Sequence, residues 1–320
     1  MVFLNQADFD VARANAAPHI HRTPVLRSST LSELTGAEVF LKAELFQKGG
    51  SYKIRGPLNV LAHLSEEEKG RGLICSSAGN HAQGVALAAR IHGVEATVVM
   101  AHGAPEAKIQ ATRGYGAEVI LHGNVWDEAY AHSLQLQKER DLTYVHPFND
   151  PLLVAGQGGV GWETIEDVPD LDVLIVPIGG GGLISGCSQI VKMIRPRTKV
   201  IGVEMAGAPA MKRSIEAGRL VTLDRIPFII DGLTVKTVGD YTFEVCKRFV
   251  DDIVAVDEKA IFAAVPWIME RCKLVAEGAA ASTVAALLTG DIKPEPGSKV
   301  ACVLSGGNLN LGPLRAMMWN

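Results

Sequence analysis

Apolar residues in this chain gather in short continuous runs rather than in strict alternation. The earlier ones are Val39-Phe40-Leu41, Leu73-Ile74-Cys75, Ala96-Thr97-Val98-Val99-Met100 and Glu118-Val119-Ile120-Leu121. Val173-Leu174-Ile175-Val176-Pro177, Lys199-Val200-Ile201-Gly202-Val203-Glu204 and Val300-Ala301-Cys302-Val303-Leu304 continue the pattern. Such Val- and Ile-rich runs predict strands covered on both faces, as in parallel sheets. Between them the period lengthens. His81 to His92 carries small apolar residues at helical spacing and stops at Gly93, a fitting C-cap. Ala107 to Tyr115 ends before Gly116, and Trp126 to Arg140 is amphipathic. Thr289 to Ser298 holds Gly290, Pro294, Pro296 and Gly297 and reads as a surface loop. Alternating β and α elements predict an α/β fold with open sheets and right-handed crossovers. In such sheets ligands gather beyond the carboxyl ends of strands. Three glycine-bearing loops fall there. They are Ser76-Ser77-Ala78-Gly79-Asn80-His81, Gly179-Gly180-Gly181-Gly182-Leu183 and Ser305-Gly306-Gly307-Asn308.

Composition narrows the class. The 320 residues suit two domains of ordinary size or one large α/β unit, and 48% hydrophobic with 21% charged residues is a globular balance. A net charge of -4, without a lysine or arginine run, leaves no basic footprint for nucleic acid or an anionic membrane. The opening Met1-Val2-Phe3-Leu4-Asn5-Gln6 lacks the pattern of a secretory signal, and no apolar run is long enough to span a bilayer. Cys75, Cys187, Cys246, Cys272 and Cys302 are scattered, odd in number and never spaced C-x-x-C. They predict buried thiols in a reducing cytoplasm rather than disulfides or zinc.

Each loop has a chemical and a plainer reading. Four glycines between a strand and a helix-like segment let successive backbone N–H groups converge on an anion; the alternative is a tight structural turn. No Lys-Ser/Thr follows, so the loop is not a Walker A motif, and it fails G-x-G-x-x-G with a downstream acid. Lys53 follows Gly49-Gly50-Ser51 and opens a helix. It is either a solvated charge or an amine able to lose its proton and condense with a carbonyl. Ser76 to Asn80, before the helix that begins at His81, offers hydroxyls, N–H groups and an amide to a substrate carboxylate. Its plainer reading is an N-cap by Ser77 or Asn80, with His81 packing the helix. Ser305 either donates to a ring nitrogen or is a turn serine.

In this order the loops resemble the fold type II (tryptophan-synthase-β-like) pyridoxal-phosphate family, and within it threonine/serine dehydratases, with serine racemase a near neighbour. The similarity runs from Arg22-Thr23-Pro24-Val25 to Gly306-Gly307-Asn308, and Ser51-Tyr52-Lys53-Ile54-Arg55-Gly56 matches the family's Ser-Phe-Lys-x-Arg-Gly. The resemblance implies pyridoxal 5'-phosphate bound covalently at Lys53. Asn80 would contact its phenolic oxygen, Gly179, Gly180, Gly181, Gly182 and Leu183 its phosphate, and Ser305 its ring nitrogen. Gly232, in Asp231-Gly232-Leu233, would pass beside the ring. Glu277 would lie near the cofactor, anchoring a β-hydroxyl or forming a structural pair. Ser76, Ser77, Ala78, Gly79, Asn80 and His81 would bind the substrate. Two open α/β domains are expected, with the cofactor in the cleft between them. Residues 1–67 with 150–320 would form the large domain and 68–149 a small mobile one, without a regulatory domain. A homodimer or homotetramer is expected.

The implied reaction is dehydration and deamination of L-threonine or L-serine, with Lys53 removing the Cα proton. Where the cysteine-forming branch reads Asn-Thr-Gly, this chain has Asn80-His81-Ala82, which points away from cysteine synthesis. Racemases of this type place a second acid/base serine where Ala78 stands, so elimination is favoured over isomerisation. Their divalent-cation site would be incomplete, because Glu204 and Ala208 match but Ala210 replaces an aspartate. No required metal is expected. Trp126 either packs or lines the substrate's β-side, which would admit phenylserine; no arginine marks a second carboxylate, as 3-hydroxyaspartate would need. An idle amino-acid or nucleotide binder using the glycine loops as anion nests is the reading of a different class.

Overall fold

The computed structural model of the chain describes residues 2–310. Its strands are β1 (Val25–Arg27), β2 (Glu38–Ala43), β3 (Leu73–Ser76), β4 (Ala96–Met100), β5 (Glu118–Leu121), β6 (Thr143–Tyr144), β7 (Val173–Pro177), β8 (Lys199–Met205), β9 (Asp252–Val256) and β10 (Lys299–Leu304). One sheet runs β1-β2-β10-β7-β8-β9 and the other β5-β4-β3-β6. Every pairing is parallel except β1 against β2. The fold is therefore α/β, as the continuous apolar runs predict. All seven runs become strands. β1, β6 and β9 escaped the sequence reading: β1 is partly exposed and β6 is only two residues long. Pairing to a longer neighbour, rather than local pattern, makes them strands.

The predicted helices form as Asn80–His92, Glu106–Gly114 and Trp126–Arg140, the first ending on Gly93 in the left-handed region. Residues 289–298 contain no helix or strand. Around the six-stranded sheet, Val39, Leu41, Leu174, Ile175, Val203, Val300 and Cys302 belong to one buried cluster. Leu73, Cys75, Val98 and Met100 of the four-stranded sheet share another with Val85 and Ala89. Helices Pro151–Asp167 and Gly182–Ile194 touch backbone to backbone. A Cβ on Gly186 would stand only 2.6 Å from Gly158 N. Among the described residues, no helix is long and apolar enough to cross a membrane.

Under the lysine turn lies a neutral cluster of four buried charges. Arg55, 1% exposed, donates through Nε and Nη2 to Glu44 at 2.8 Å each, and through Nη1 and Nη2 to Glu163 at 2.8 and 2.9 Å. Lys42 Nζ donates to Glu163 Oε2 at 2.6 Å and to Thr23 O at 2.8 Å, and the Thr23 hydroxyl donates to Glu44. Burial pushes the Glu44 carboxyl up, but Arg55, Lys42 and Thr23 outweigh it and hold the group below the usual carboxylate range. Its stabilising contribution is full above that range and lost as pH falls through the depressed value. Replacing Arg55 with Met would leave the buried Glu44 without an ion-pair partner and the cluster with an uncompensated negative charge. The expected cost is about 3–5 kcal/mol in urea unfolding at neutral pH, and an unchanged midpoint would contradict this account.

Candidate active site

Gly49 and Gly50 take φ values of 74° and 72°, which turn the chain sharply into the lysine segment. Ser51 bridges Gly306, Tyr52 N donates to Ser305 O at 3.1 Å, and Gly307 N donates to Gly50 O at 2.9 Å. The loop after β10 and the lysine segment are thus stitched together by backbone. Lys53 lies in the tight turn Tyr52–Ile54, and the helix begins only at Arg55. That corrects the expectation that Lys53 opens the helix, because Ser51 and the bridge to Gly306 hold extended backbone just before it. A Cβ on Gly84 would come within 2.6 Å of Lys53 O, so helix Asn80–His92 lies directly against the lysine backbone.

Lys53 Nζ donates to Pro147 O at 2.9 Å and sits 5.3 Å from the Tyr52 ring centroid. Burial pushes its amine down to about 8, with Glu277 pulling weakly the other way. On the order of a tenth of such an amine is neutral at pH 7, against fewer than about one in a thousand for an ordinary lysine. His146 shapes the turn that presents the Pro147 carbonyl: its Nδ1 accepts from Phe148 N at 3.2 Å and Asn149 N at 2.8 Å. Burial and then Lys53 push His146 down to about 4. His81 donates from Nε2 to Val145 O at 2.9 Å, which leaves a buried, unpartnered Nδ1. Burial and Lys53 push it down to about 3. His81 is therefore a neutral packing histidine, and no proton donor at neutral pH.

Ser76 ends β3 with its Oγ buried and unpartnered. Ser77 Oγ accepts from Gly79 N at 3.2 Å. Gly79, not Ser77 or Asn80, is the N-cap of helix Asn80–His92, and no side chain caps it. The helix N-terminus is thus left uncapped by side chains, as a carboxylate site requires. Asn80 Nδ2 donates to Glu277 Oε1 at 2.6 Å, while its Oδ1 accepts from Asn308 Nδ2 at 2.8 Å. Glu277 N donates to Gly306 O at 3.1 Å. Burial pushes the Glu277 carboxyl up to about 7, against the pull of Asn80 and Lys108. Ser305 is 3% exposed at the end of β10. Asn308 and Pro147 carried no role in the sequence reading. An asparagine side chain and a backbone carbonyl gain one only when distant loops meet.

The glycines after β7 form a close cradle. Gly181 has φ 94°, and the Thr242 hydroxyl donates to Gly180 O at 2.7 Å. A Cβ on Gly179 would run into Gly232 O, and one on Gly180 into the Phe148 ring. Leu183 is buried. Lys108 pairs with Asp231, and Lys236 with Asp127 at 3.2 Å, so the segment carrying Gly232 is joined to helices flanking β5. Trp126 is 47% exposed and packs with one face only. Its indole donates to Ser76 O at 3.3 Å and stacks on Tyr130 at 4.8 Å. Both Glu204 oxygens accept backbone N–H groups, from Met211 and Lys212 at 2.8 Å each, at the start of helix Ala210–Ala217. Of the five free cysteines, Cys272 alone is only half-buried.

These residues fit a phosphorylated aldehyde. A proton-poor lysine amine, a cradle too narrow for any Cβ, and a strand-end serine lie at the carboxyl ends of their sheets.

The shifted groups give the fold opposite pH slopes. Between 4.5 and about 7 the folded chain holds a Glu277 proton that the unfolded chain lacks, so stability falls as pH rises. Between about 8 and 10.5 the unfolded chain holds a Lys53 proton that the folded chain lacks, so stability rises with pH. In cofactor-free protein, urea unfolding across pH should show the first slope reduced in Glu277→Gln and the second in Lys53→Met. Profiles parallel to wild type in both variants would refute these assignments.

Residues 16–306 match the family described as pyridoxal-phosphate dependent enzyme. L-threonine ammonia-lyase of Thermotoga maritima is 52% identical over 293 residues, covering 91% of this chain and 72% of that protein. The catabolic L-threonine dehydratase TdcB of Staphylococcus aureus is 42% identical over 307 residues, covering 95% of this chain and 89% of that protein. The structure of maize serine racemase superposes with a TM-score of 0.94 at 36% identity, covering 99% of this chain and 98% of that chain. With the lysine turn, the glycine cradle and the match over most of its length in agreement, this chain belongs to the family of pyridoxal-phosphate dependent enzymes.

Proposed function

We propose that this enzyme converts L-threonine to 2-oxobutyrate and ammonia, and L-serine to pyruvate and ammonia. Two residues carry the reading: Lys53, and Ala78 at the position where the resemblance would put a racemase's second acid/base serine. Lys53 supplies an amine that is partly neutral at pH 7, while position 78 holds an alanine that can neither give nor take a proton. Threonine ammonia-lyase and dehydratase relatives support the choice of substrate.

Bound pyridoxal phosphate supplies an electron sink for the electrons released at the substrate's Cα. The protein's part is to bind, orient and move protons. Ser76, Ser77 and the uncapped N-terminus of helix Asn80–His92 receive the substrate carboxylate. Asn80, held by Glu277 and Asn308, would contact the ring's phenolic oxygen, and Ser305 would serve its nitrogen. A serine there forces no positive charge on the ring, which suits prompt loss of the β-hydroxyl. Gly179 to Leu183 would hold the phosphate, with Gly232 alongside. Lys53 Nζ takes the Cα proton, a step worth about 10²–10⁴-fold for a well-placed base. Glu277, still partly protonated near pH 7, would anchor the hydroxyl that leaves as water, or serve only as the structural partner of Asn80. Water regained on release of ammonia balances the overall reaction.

The reading extends to architecture. Residues 1–67 with 150–320 would form a large domain and 68–149 a smaller, mobile one, with the cofactor between them. The enzyme would work in the cytoplasm as a homodimer or homotetramer, without a required metal. The likeness to maize serine racemase favours a racemase as the second reading. Phenylserine and 3-hydroxyaspartate are further substrates to assay.

Purified enzyme should release 2-oxobutyrate from L-threonine, and Lys53→Ala should lose at least about 10²-fold in kcat. Chiral analysis of residual serine should show L-serine alone; accumulating D-serine would favour the racemase. Ser305→Asp should slow elimination, and an unchanged rate would remove the argument from the ring nitrogen.

A further inference from the structure

Gln157 lies on helix Pro151–Asp167 and is fully buried, yet neither Nε2 nor Oε1 has a hydrogen-bond partner. Its surroundings show where the amide reaches. Gly182 begins the 13-residue helix Gly182–Ile194, and a Cβ placed on it would stand 2.7 Å from Gln157 Oε1. The amide therefore abuts the glycine cradle at the positive end of that helix. Half a turn about its last bond exchanges oxygen for nitrogen, so an N–H donor can occupy the same point. Interiors carry few polar groups with both ends unpaired, because an apolar side chain of equal shape would serve the fold better. A donor kept there at a cost to the empty protein suits an absent acceptor.

Among the other buried, unpaired groups, Ser76 Oγ and His81 Nδ1 belong to the carboxylate loop and its helix, and the His92 ring faces His19 at 5.6 Å between centroids.

We propose that Gln157 is a side-chain ligand of the phosphate group, donating from Nε2 to an anion otherwise held by the backbone of Gly179 to Gly182. This rests on the functional reading above and adds a neutral side-chain donor to a cradle made of peptide nitrogens. A neutral amide supplies a hydrogen bond without burying another cation beside Arg55 and Lys42.

Gln157→Met keeps the length and removes the donor; Gln157→Glu keeps the shape and adds a negative charge. Full-length protein stripped of cofactor would be titrated with pyridoxal 5'-phosphate and, separately, with pyridoxal, which lacks the phosphate. Gln157→Met should bind the phosphorylated aldehyde about 10- to 100-fold more weakly and pyridoxal within about twofold of wild type, with Gln157→Glu weaker still toward the former. Stripped Gln157→Met should also melt above stripped wild type, while its rise in Tm with inorganic phosphate shrinks. Equal weakening toward both aldehydes, or no weakening, would overturn the proposal. So would a lower Tm with the phosphate response intact. If wild type itself failed to prefer the phosphorylated aldehyde, the phosphate reading of the whole cradle would fall too, an outcome distinct from failure of Gln157 alone.

Discussion

The lysine segment on which the site depends is fixed by the four-charge cluster beneath it. Arg55, two residues beyond Lys53, is gripped by Glu44 at the end of β2 and by Glu163 on helix Pro151–Asp167. Its guanidinium engages both carboxylates through a planar fork, which constrains direction as well as distance. The segment carrying Lys53 is therefore tied to the sheet on one side and to a central helix on the other. Lys42 and Thr23 complete the neutralisation. Such a cluster is a weak source of net stability, because desolvation consumes most of the attraction. Its consequence is positional: a misdirected segment would leave buried charges unpaired.

Above that cluster, burial sets the protonation states. The same low-polarity surroundings push Lys53 down, His81 and His146 down, and Glu277 up. Each shift disfavours charge, so near pH 7 both histidines are neutral while Lys53 and Glu277 are each present partly in the uncharged form. Neutral histidines hold backbone: His81 secures Val145 O, and His146 gathers Phe148 N and Asn149 N so that Pro147 O meets the lysine amine. A lysine with a carbonyl acceptor and few nearby charges is prepared for covalent chemistry at modest electrostatic cost.

Three glycine loops at strand ends, the lysine turn and the α/β class were legible because backbone proximity requires glycine and two-sided burial requires continuous apolar runs. The fourfold glycine run reads clearly for the same reason: Gly232 O and the Phe148 ring fill the space of any side chain. Trp126 read only as an aromatic residue in an amphipathic segment; that it stacks on Tyr130 while its N–H reaches Ser76 O from a half-exposed position needed the fold. The N-cap by Ser77 or Asn80 was a fair local reading that lost to partners elsewhere, because Asn80 is claimed by Glu277 and Asn308.

By itself the sequence determined seven of the ten strands described and where loops must admit close backbone approach. Those properties follow from local sterics and hydrophobic period. Only the tertiary structure decided that Arg55 meets Glu44 and Glu163, that Asn308 reaches Asn80, and that Gln157 abuts Gly182. Partners separated by tens to hundreds of positions leave no periodic trace, and the low polarity that shifts Lys53 and Glu277 exists only once both sheets and their helices exclude water around them.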